Sequence, residues 1–295
     1  YVEDEIAVAF LGYGSALSQD DPSCREQYLG QFAEMVERDK SHPCVIIWSL
    51  ANESYWGENH ELCLQYVKQE DPDRLTIFSY PMTWKEDDTP LDLWSTHYGN
   101  WDSPLDVKTE CFRRSICYSG EMPVLHDEST HIPCYDIRAL KRDPAIRDFW
   151  GETIGRFWER LWETEGALGC AVWAGIDDVM IRDGIPQGFI WGIIDGWRRK
   201  KPEYWHIRKG YSPIVLPKEP QKTERGIELE IYNRFNHTNL NEVTVEWSVG
   251  EQRGRVKGPD AEPGTTGILF IPAAQYHEDV LFLNFSDSFG FCVEE

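Results

Sequence analysis

Val45-Ile46-Ile47-Trp48 constrains this chain more than any other stretch. The run is apolar and largely β-branched, with His42-Pro43 before it and Asn52-Glu53-Ser54 after it. An uninterrupted run of this kind suits a strand covered on both faces, as in a parallel α/β sheet. Pro123-Val124-Leu125-His126-Asp127-Glu128 repeats the plan, an apolar run ending in a carboxylate. In parallel α/β folds the exits of the strands are where chemistry is exposed. Glu53 and Glu128 are therefore the first side chains to examine for function.

The rest of the first two thirds alternates strand and helix. Strands are predicted at residues 1–5, 44–50, 76–79, 91–97, 123–127 and 169–173, the first ending in an acidic turn. Helices are predicted over Asp21–Lys40, Asn59–Glu70, Val107–Tyr118 and Pro144–Glu163, from apolar residues at helical spacing. This order predicts an α/β domain whose parallel sheet closes as a (β/α)8 TIM barrel. About six of its eight strands are present. No glycine-rich dinucleotide fingerprint follows any strand, which disfavours a doubly wound sheet. The chain begins at Tyr1 as if within a strand, so the remaining barrel strands and the N-terminal domains of the same protein are expected upstream. After Pro217 the pattern becomes strictly alternating, as in Ile227–Tyr232, Val243–Trp247 and Val280–Phe285, which predicts an all-β, immunoglobulin-like sandwich. The expected domains are residues 1–212 and 221–295, joined by the proline-rich link Pro213–Pro220.

Composition narrows the function class. Asp plus Glu number 51 against 29 Lys plus Arg, a formal net charge of −22. Nucleic acid and anionic membrane surfaces carry the same sign and are poor partners, whereas a neutral carbohydrate substrate is not opposed. No apolar run reaches membrane-spanning length. Eight cysteines contain no CxxC pair, so neither a metal framework nor a disulfide scaffold is read. Compartment is left unspecified, and a homo-oligomer is compatible with all of this.

Two carboxylates facing one mouth are what glycosidic cleavage needs: one protonates the leaving oxygen, and the other attacks the anomeric carbon or activates water. Their separation, which decides between retention and inversion, is not legible in sequence. Asn52 can hydrogen-bond a sugar hydroxyl, Tyr98 can orient a carboxylate, His131 can bind a hydroxyl, and Trp173 offers a flat face to a pyranose. Each also has a structural reading, as strand-end packing, surface histidine or core.

The segment His42–Ser54 resembles the acid/base signature of glycoside hydrolase family 2, which includes β-galactosidases, β-glucuronidases and β-mannosidases. Asn59-His60 and Asp71-Pro72-Asp73-Arg74 resemble the β-galactosidase branch. Pro123–His131 is similar to that family's nucleophile segment, and Gly169–Trp173 to its last barrel strand. The resemblance implies a retaining exo-β-glycosidase acting on β-galactosides, with Glu53 as acid/base, Glu128 as nucleophile, and Asn52, Tyr98, His131 and Trp173 as contacts. It departs from the family at Ser129, where Tyr is usual. It departs again at Ala7-Val8-Ala9-Phe10, where acidic and His ligands to Mg²⁺ are common; these apolar positions give no metal site, and no cofactor is expected. A glucuronidase is weakened by the lack of an Asn-x-Lys motif after Tyr98.

Three rivals are weighed. A zinc site of His97, His126, Asp127 and His131 is disfavoured because His126 and Asp127 point to opposite sides of a strand. A serine hydrolase lacks its GxSxG elbow. A non-catalytic carbohydrate-binding protein on an inactive barrel is opposed by the intact Glu53 and Glu128.

Overall fold

The computed structural model describes residues 1–10, 18–80, 90–99, 110–111, 114–115, 122–130, 141–143, 145–273 and 280–295. The chain divides into two units, Tyr1–His206 and Ile207–Glu295.

The first unit is built on β1 (Val2–Glu5), α1 (Arg25–Asp39), β2 (Val45–Asn52), α2 (Glu58–Glu70), β3 (Leu75–Ser79) and β4 (Trp94–His97). Glu110–Cys111 and Arg114–Ser115 are β5 and β6, and then come β7 (Val124–Ser129), α3 (Ile146–Trp162) and β8 (Ala167–Val172). The strands β1-β2-β3 form one parallel sheet and β4-β7-β8 another. The amides of Asp92 and Leu93 donate to the Thr76 carbonyl, at 3.1 and 3.2 Å, where the two sheets meet. The parallel strand–helix order expected from sequence is present; a closed barrel is not, among the described residues. Nor is any described helix long and apolar enough to cross a membrane.

β2 is buried on both faces. Trp48 and Leu50 pack with Phe32 and Val36 of α1 and with Leu64 and Val67 of α2. Ile47 joins Ile77, Leu93 and Leu125 on the other side. Asp71-Pro72-Asp73-Arg74 closes this layer. Trp48 Nε1 donates to Asp71 Oδ2 at 3.0 Å, and Arg74 donates to the same oxygen at 2.5 Å. The Arg74 guanidinium also caps the Val45 and Lys40 carbonyls, at 2.7 and 2.8 Å, and lies 5.7 Å over the Trp48 ring.

Two expectations are corrected. Where Val107–Tyr118 is described it is the hairpin β5–β6, with Glu110 opposite Ser115, not a helix. Val107, Thr109 and Ile116 are β-branched, and a short segment in which apolar and charged residues are mixed in this way satisfies either periodicity. The acids of the first strand are not a turn: Glu3, Asp4 and Glu5 lie within β1 itself.

A second hairpin, β9 (Asp178–Arg182) and β10 (Ile185–Phe189), follows β8, and α4 (Pro202–Gly210) carries the chain onward. In the second unit β11 (Ile214–Val215), β12 (Gln221–Thr223), β13 (Gly226–Asn233) and β16 (Thr266–Ile271) make one antiparallel sheet. The other consists of β14 (Thr244–Val249), β15 (Gln252–Lys257), β17 (Phe282–Ser286) and β18 (Cys292–Glu294). Ile227, Leu229, Ile231, Leu269 and Ile271 of the first meet Val245, Trp247, Val249 and Phe285 of the second in one core.

Candidate active site

The strands bearing the two candidate glutamates share an irregularity. Between Ser49 and Asn52 β2 has one residue more than β3. Between Leu125 and Glu128 β7 has one more than β4, and the same excess appears against β8. A bulge of this kind breaks the inward–outward alternation and re-aims the residues after it. In β2 it lets Leu50 and Ala51 both pack on the helix side before Asn52 and Glu53 reach the cleft. In β7 it brings the consecutive carboxylates Asp127 and Glu128 to one side, where both approach His97.

Beyond the strands the ladder continues. Glu53 N donates to the Ser79 carbonyl, Tyr98 N to that of Glu128, and Trp173 N to that of Ser129, at 2.8, 3.0 and 3.0 Å. The non-glycine residues Glu53, Tyr80, Tyr98 and Thr130 take left-handed backbone conformations, with φ of 40°, 53°, 50° and 55°. Such conformations are uncommon and gather at functional sites. Gly99 is required by packing: a Cβ there would stand 2.5 Å from His126 Cε1.

Glu53 and Tyr98 border a cleft of about 1090 Å³, whose lining also includes Glu3, Glu5, Asn52, Asp127, Glu128 and Trp173. His97 is buried and approaches two of the lining acids, Glu53 and Glu128. His97 Nδ1 lies 2.9 Å from Glu53 Oε1 and 3.8 Å from Glu128 Oε2. His97 Nε2 lies 2.9 Å from Ser79 Oγ and 3.6 Å from Asp127 Oδ1. One ligating atom from each of Glu53, His97 and Glu128 falls within 4.8 Å of the others, so the two glutamates are that close. Tyr98 OH donates to Glu128 Oε1, and Ser79 Oγ donates to Asn52 Oδ1 at 3.3 Å.

The site is rich in buried acid. Burial pushes Glu128 above the usual carboxylate range, with help from Glu53 and Asp127, while His97 and Tyr98 oppose it. Burial raises Asp127, although His97 and Ser95 pull the other way. Burial, with Asp127 and Glu5 nearby, carries Glu3 to about 9. Burial carries Glu5 to about 7 despite its bond from Ser49, whose Oγ lies 2.8 Å away. Burial depresses His97, but Glu53, Asp127 and Glu128 outweigh it and leave the imidazole above its ordinary value.

Of the residues singled out from sequence, Glu53, Glu128, Asn52, Tyr98 and Trp173 border this one cleft, and His131 lies outside the described residues. Trp173 is about a third exposed, and its ring centroid is 5.7 Å from that of Trp191. Ser129, the departure from the resembled motif, is buried and donates to the Ala171 carbonyl at 3.0 Å. Asn59 and His60 serve packing. Asn59 Nδ2 donates to the carbonyls of Ser18 and Asp21, at 2.7 and 3.0 Å. His60 sits among the rings of Tyr28, Trp56 and Phe78.

Sequence reading missed His97 as a partner of both glutamates, and it missed Ser79, Glu3 and Glu5 altogether. The usable signals were the position of His97 one residue before Tyr98, and Glu3 and Glu5 two apart on a strand. Among its described members the zinc alternative does not assemble: His126 packs edge-on to Phe157, with centroids 5.2 Å apart, whereas Asp127 accepts from Ser95 Oγ on the other side at 2.6 Å. Ala7, Val8, Ala9 and Phe10 border the cleft with hydrocarbon side chains, which do not fit Mg²⁺, a cation that takes oxygen ligands.

Comparison with known proteins finds matches to one family over part of the chain. Residues 6–126 match the model for glycosyl hydrolases family 2, TIM barrel domain. A beta-galactosidase of Priestia megaterium is 37% identical over 254 residues, covering 83% of this chain and 23% of the relative. One from Vibrio cholerae is 48% identical over 75 residues, 25% of this chain and 7% of that protein. Among solved structures, Bacteroides uniformis beta-glucuronidase 3 covers 95% of this chain and 40% of its own, at 16% identity and a TM-score of 0.48. The chain thus spans about a quarter, or less, of the length of the curated relatives.

Proposed function

Residues 6–126 match the glycosyl hydrolases family 2 TIM barrel domain, and from that premise we propose that the chain is the catalytic part of a retaining exo-β-glycosidase acting on terminal β-D-galactosides. The observation that carries this reading is the approach of Glu53 and Glu128 to within 4.8 Å across one cleft. Retaining pairs stand roughly 5–5.5 Å apart, and inverting pairs need about 6.5–9.5 Å to admit a water.

In this reading protonated Glu53 gives its proton to the glycosidic oxygen while Glu128 bonds the anomeric carbon. Glu53 then turns base and activates the water that releases the sugar. The Tyr98 hydroxyl holds Glu128 Oε1 in its attacking orientation. Asn52 takes a sugar hydroxyl, Trp173 stacks on the pyranose, and His131 is assigned a further hydroxyl on the resemblance alone. The six parallel strands would be six of a (β/α)8 barrel, with the other two supplied by the rest of a longer protein. Residues 1–212 would be the catalytic portion, and the two antiparallel sheets an immunoglobulin-like accessory domain over 221–295.

The preference for a neutral galactoside over a glucuronide rests on charge and on the names of the relatives. Among the described residues the cleft lining holds acidic side chains and no Lys or Arg, so no lysine or arginine stands there to pair with a sugar carboxylate. The test is hydrolysis of nitrophenyl β-galactoside, β-glucuronide and β-mannoside by the complete protein. Preference for the galactoside, abolished in Glu128→Gln, is expected. Turnover of none of the three would leave the carbohydrate-binding reading in its place.

A further inference from the structure

We propose that His97 is a positioning residue that holds the acid proton of the site, sharing it with Glu53 across the 2.9 Å contact between Nδ1 and Oε1. This rests on the assignment of Glu53 as acid/base and adds to it a second group that the proton visits.

The neighbours of the imidazole fix its hydrogens. On one side the Ser79 hydroxyl donates to Asn52 Oδ1, which leaves its oxygen to accept from His97 Nε2–H at 2.9 Å. Asp127 Oδ1, 3.6 Å from the same nitrogen, is a second acceptor. Nε2 therefore keeps its hydrogen, and Nδ1 is the nitrogen that gives and takes. The ring plane is held by Tyr80, stacked at 4.9 Å and 18°.

The groups facing His97 are Glu53 after β2, Ser79 and Tyr80 after β3, Tyr98 after β4, Asp127 and Glu128 on β7, and Glu5 from β1. All the charges among them are negative, which favours a cation at this spot; the resulting upward displacement of the imidazole agrees with that placement. An imidazolium beside two carboxylates has the same proton count as a neutral imidazole beside one carboxylic acid and one carboxylate. Moving the proton from Nδ1 to Oε1 converts the first into the second, the form that Glu53 needs as acid. The proton then goes to the leaving oxygen as the glycosidic bond breaks and the Glu128–carbon bond forms. In the second half, Glu53 takes a proton from water as hydroxide displaces Glu128, and Nδ1 recovers it. One water is consumed and the site returns to its starting charge.

The test uses His97→Asn, whose amide can still hydrogen-bond Glu53 but cannot carry the proton. In the complete protein the basic limb of kcat/KM should move to lower pH by ~1 unit or more, because the acid proton loses its second binding place. The loss should be at least about tenfold greater for methyl β-galactoside than for dinitrophenyl β-galactoside, whose departure needs no acid. An unmoved limb with equal losses on both substrates would overturn the proposal. If the wild-type protein hydrolyses no glycoside, the function proposed above fails, and the histidine is then judged by NMR titration of its ring. A His97 titration that falls toward the ordinary range in Glu53→Gln upholds the shared proton, and one that is unchanged overturns it.

Discussion

Tyr98 directly follows β4 and Glu128 lies on the neighbouring parallel strand β7, and the phenol of the first donates to Oε1 of the second while its amide donates to the Glu128 carbonyl at 3.0 Å. The carboxylate is thus tied through both backbone and side chain to one partner. Tyr98→Phe removes the side-chain bond and leaves the fold alone. Since a hydrogen bond to a charged group contributes about 1.5–3 kcal/mol, kcat should fall about 10- to 100-fold with little change in melting temperature. Steady-state kinetics beside a thermal melt checks this.

Asp71 and Arg74 lock the far end of the first sheet. Arg74→Ala removes the donors to Asp71, Val45 and Lys40 and the cation above Trp48. The variant should be less stable by ~2–4 kcal/mol, read as a lower urea midpoint.

What the sequence made legible follows from how completely each element is buried. β2 and β7 could be read because a strand covered on both faces must be apolar throughout. The bulges that deliver Glu53 and Glu128 could not, since one extra residue looks the same as ordinary irregularity until the neighbouring strand is known. His97 was weighed only as a metal ligand, because its two carboxylate partners come from other strands. Glu3 and Glu5 read as a turn because acids are seldom buried in strands. In the second unit β15 escaped notice: Gln252-Arg253-Gly254-Arg255-Val256-Lys257 is an edge strand, and its polar residues carry no hydrophobic alternation.

The acids of β1 predict an alkaline weakness. Burial and neighbouring acids hold Glu3 at about 9 and Glu5 at about 7 in the folded protein, against about 4.3 for a free glutamate. The unfolded chain releases these protons first, so stability is greatest below that free value and declines as pH rises through 7 and on to 9. Glu3→Gln, neutral at every pH, should match the wild type near pH 4 and exceed it by on the order of 1 kcal/mol or more at pH 9. Denaturant midpoints across that range provide the check.

His60 predicts the opposite branch. Burial among aromatic rings lowers it to about 4, so the unfolded state takes up a proton that the folded state refuses. Its contribution to stability is complete above pH ~6.5 and is lost as pH falls from there to about 4. His60→Phe, which keeps a ring in the pocket, should flatten this acid branch in melting curves recorded at pH 4, 5 and 7.

The central claim is that Glu53 and Glu128, no more than 4.8 Å apart at their nearest oxygens, act as acid/base and nucleophile respectively, with no room for a water between them. Proton NMR of the first-formed product of β-galactoside hydrolysis by the complete protein tests it most directly. The account predicts that the β-anomer appears first and then mutarotates. Initial release of the α-anomer would contradict it.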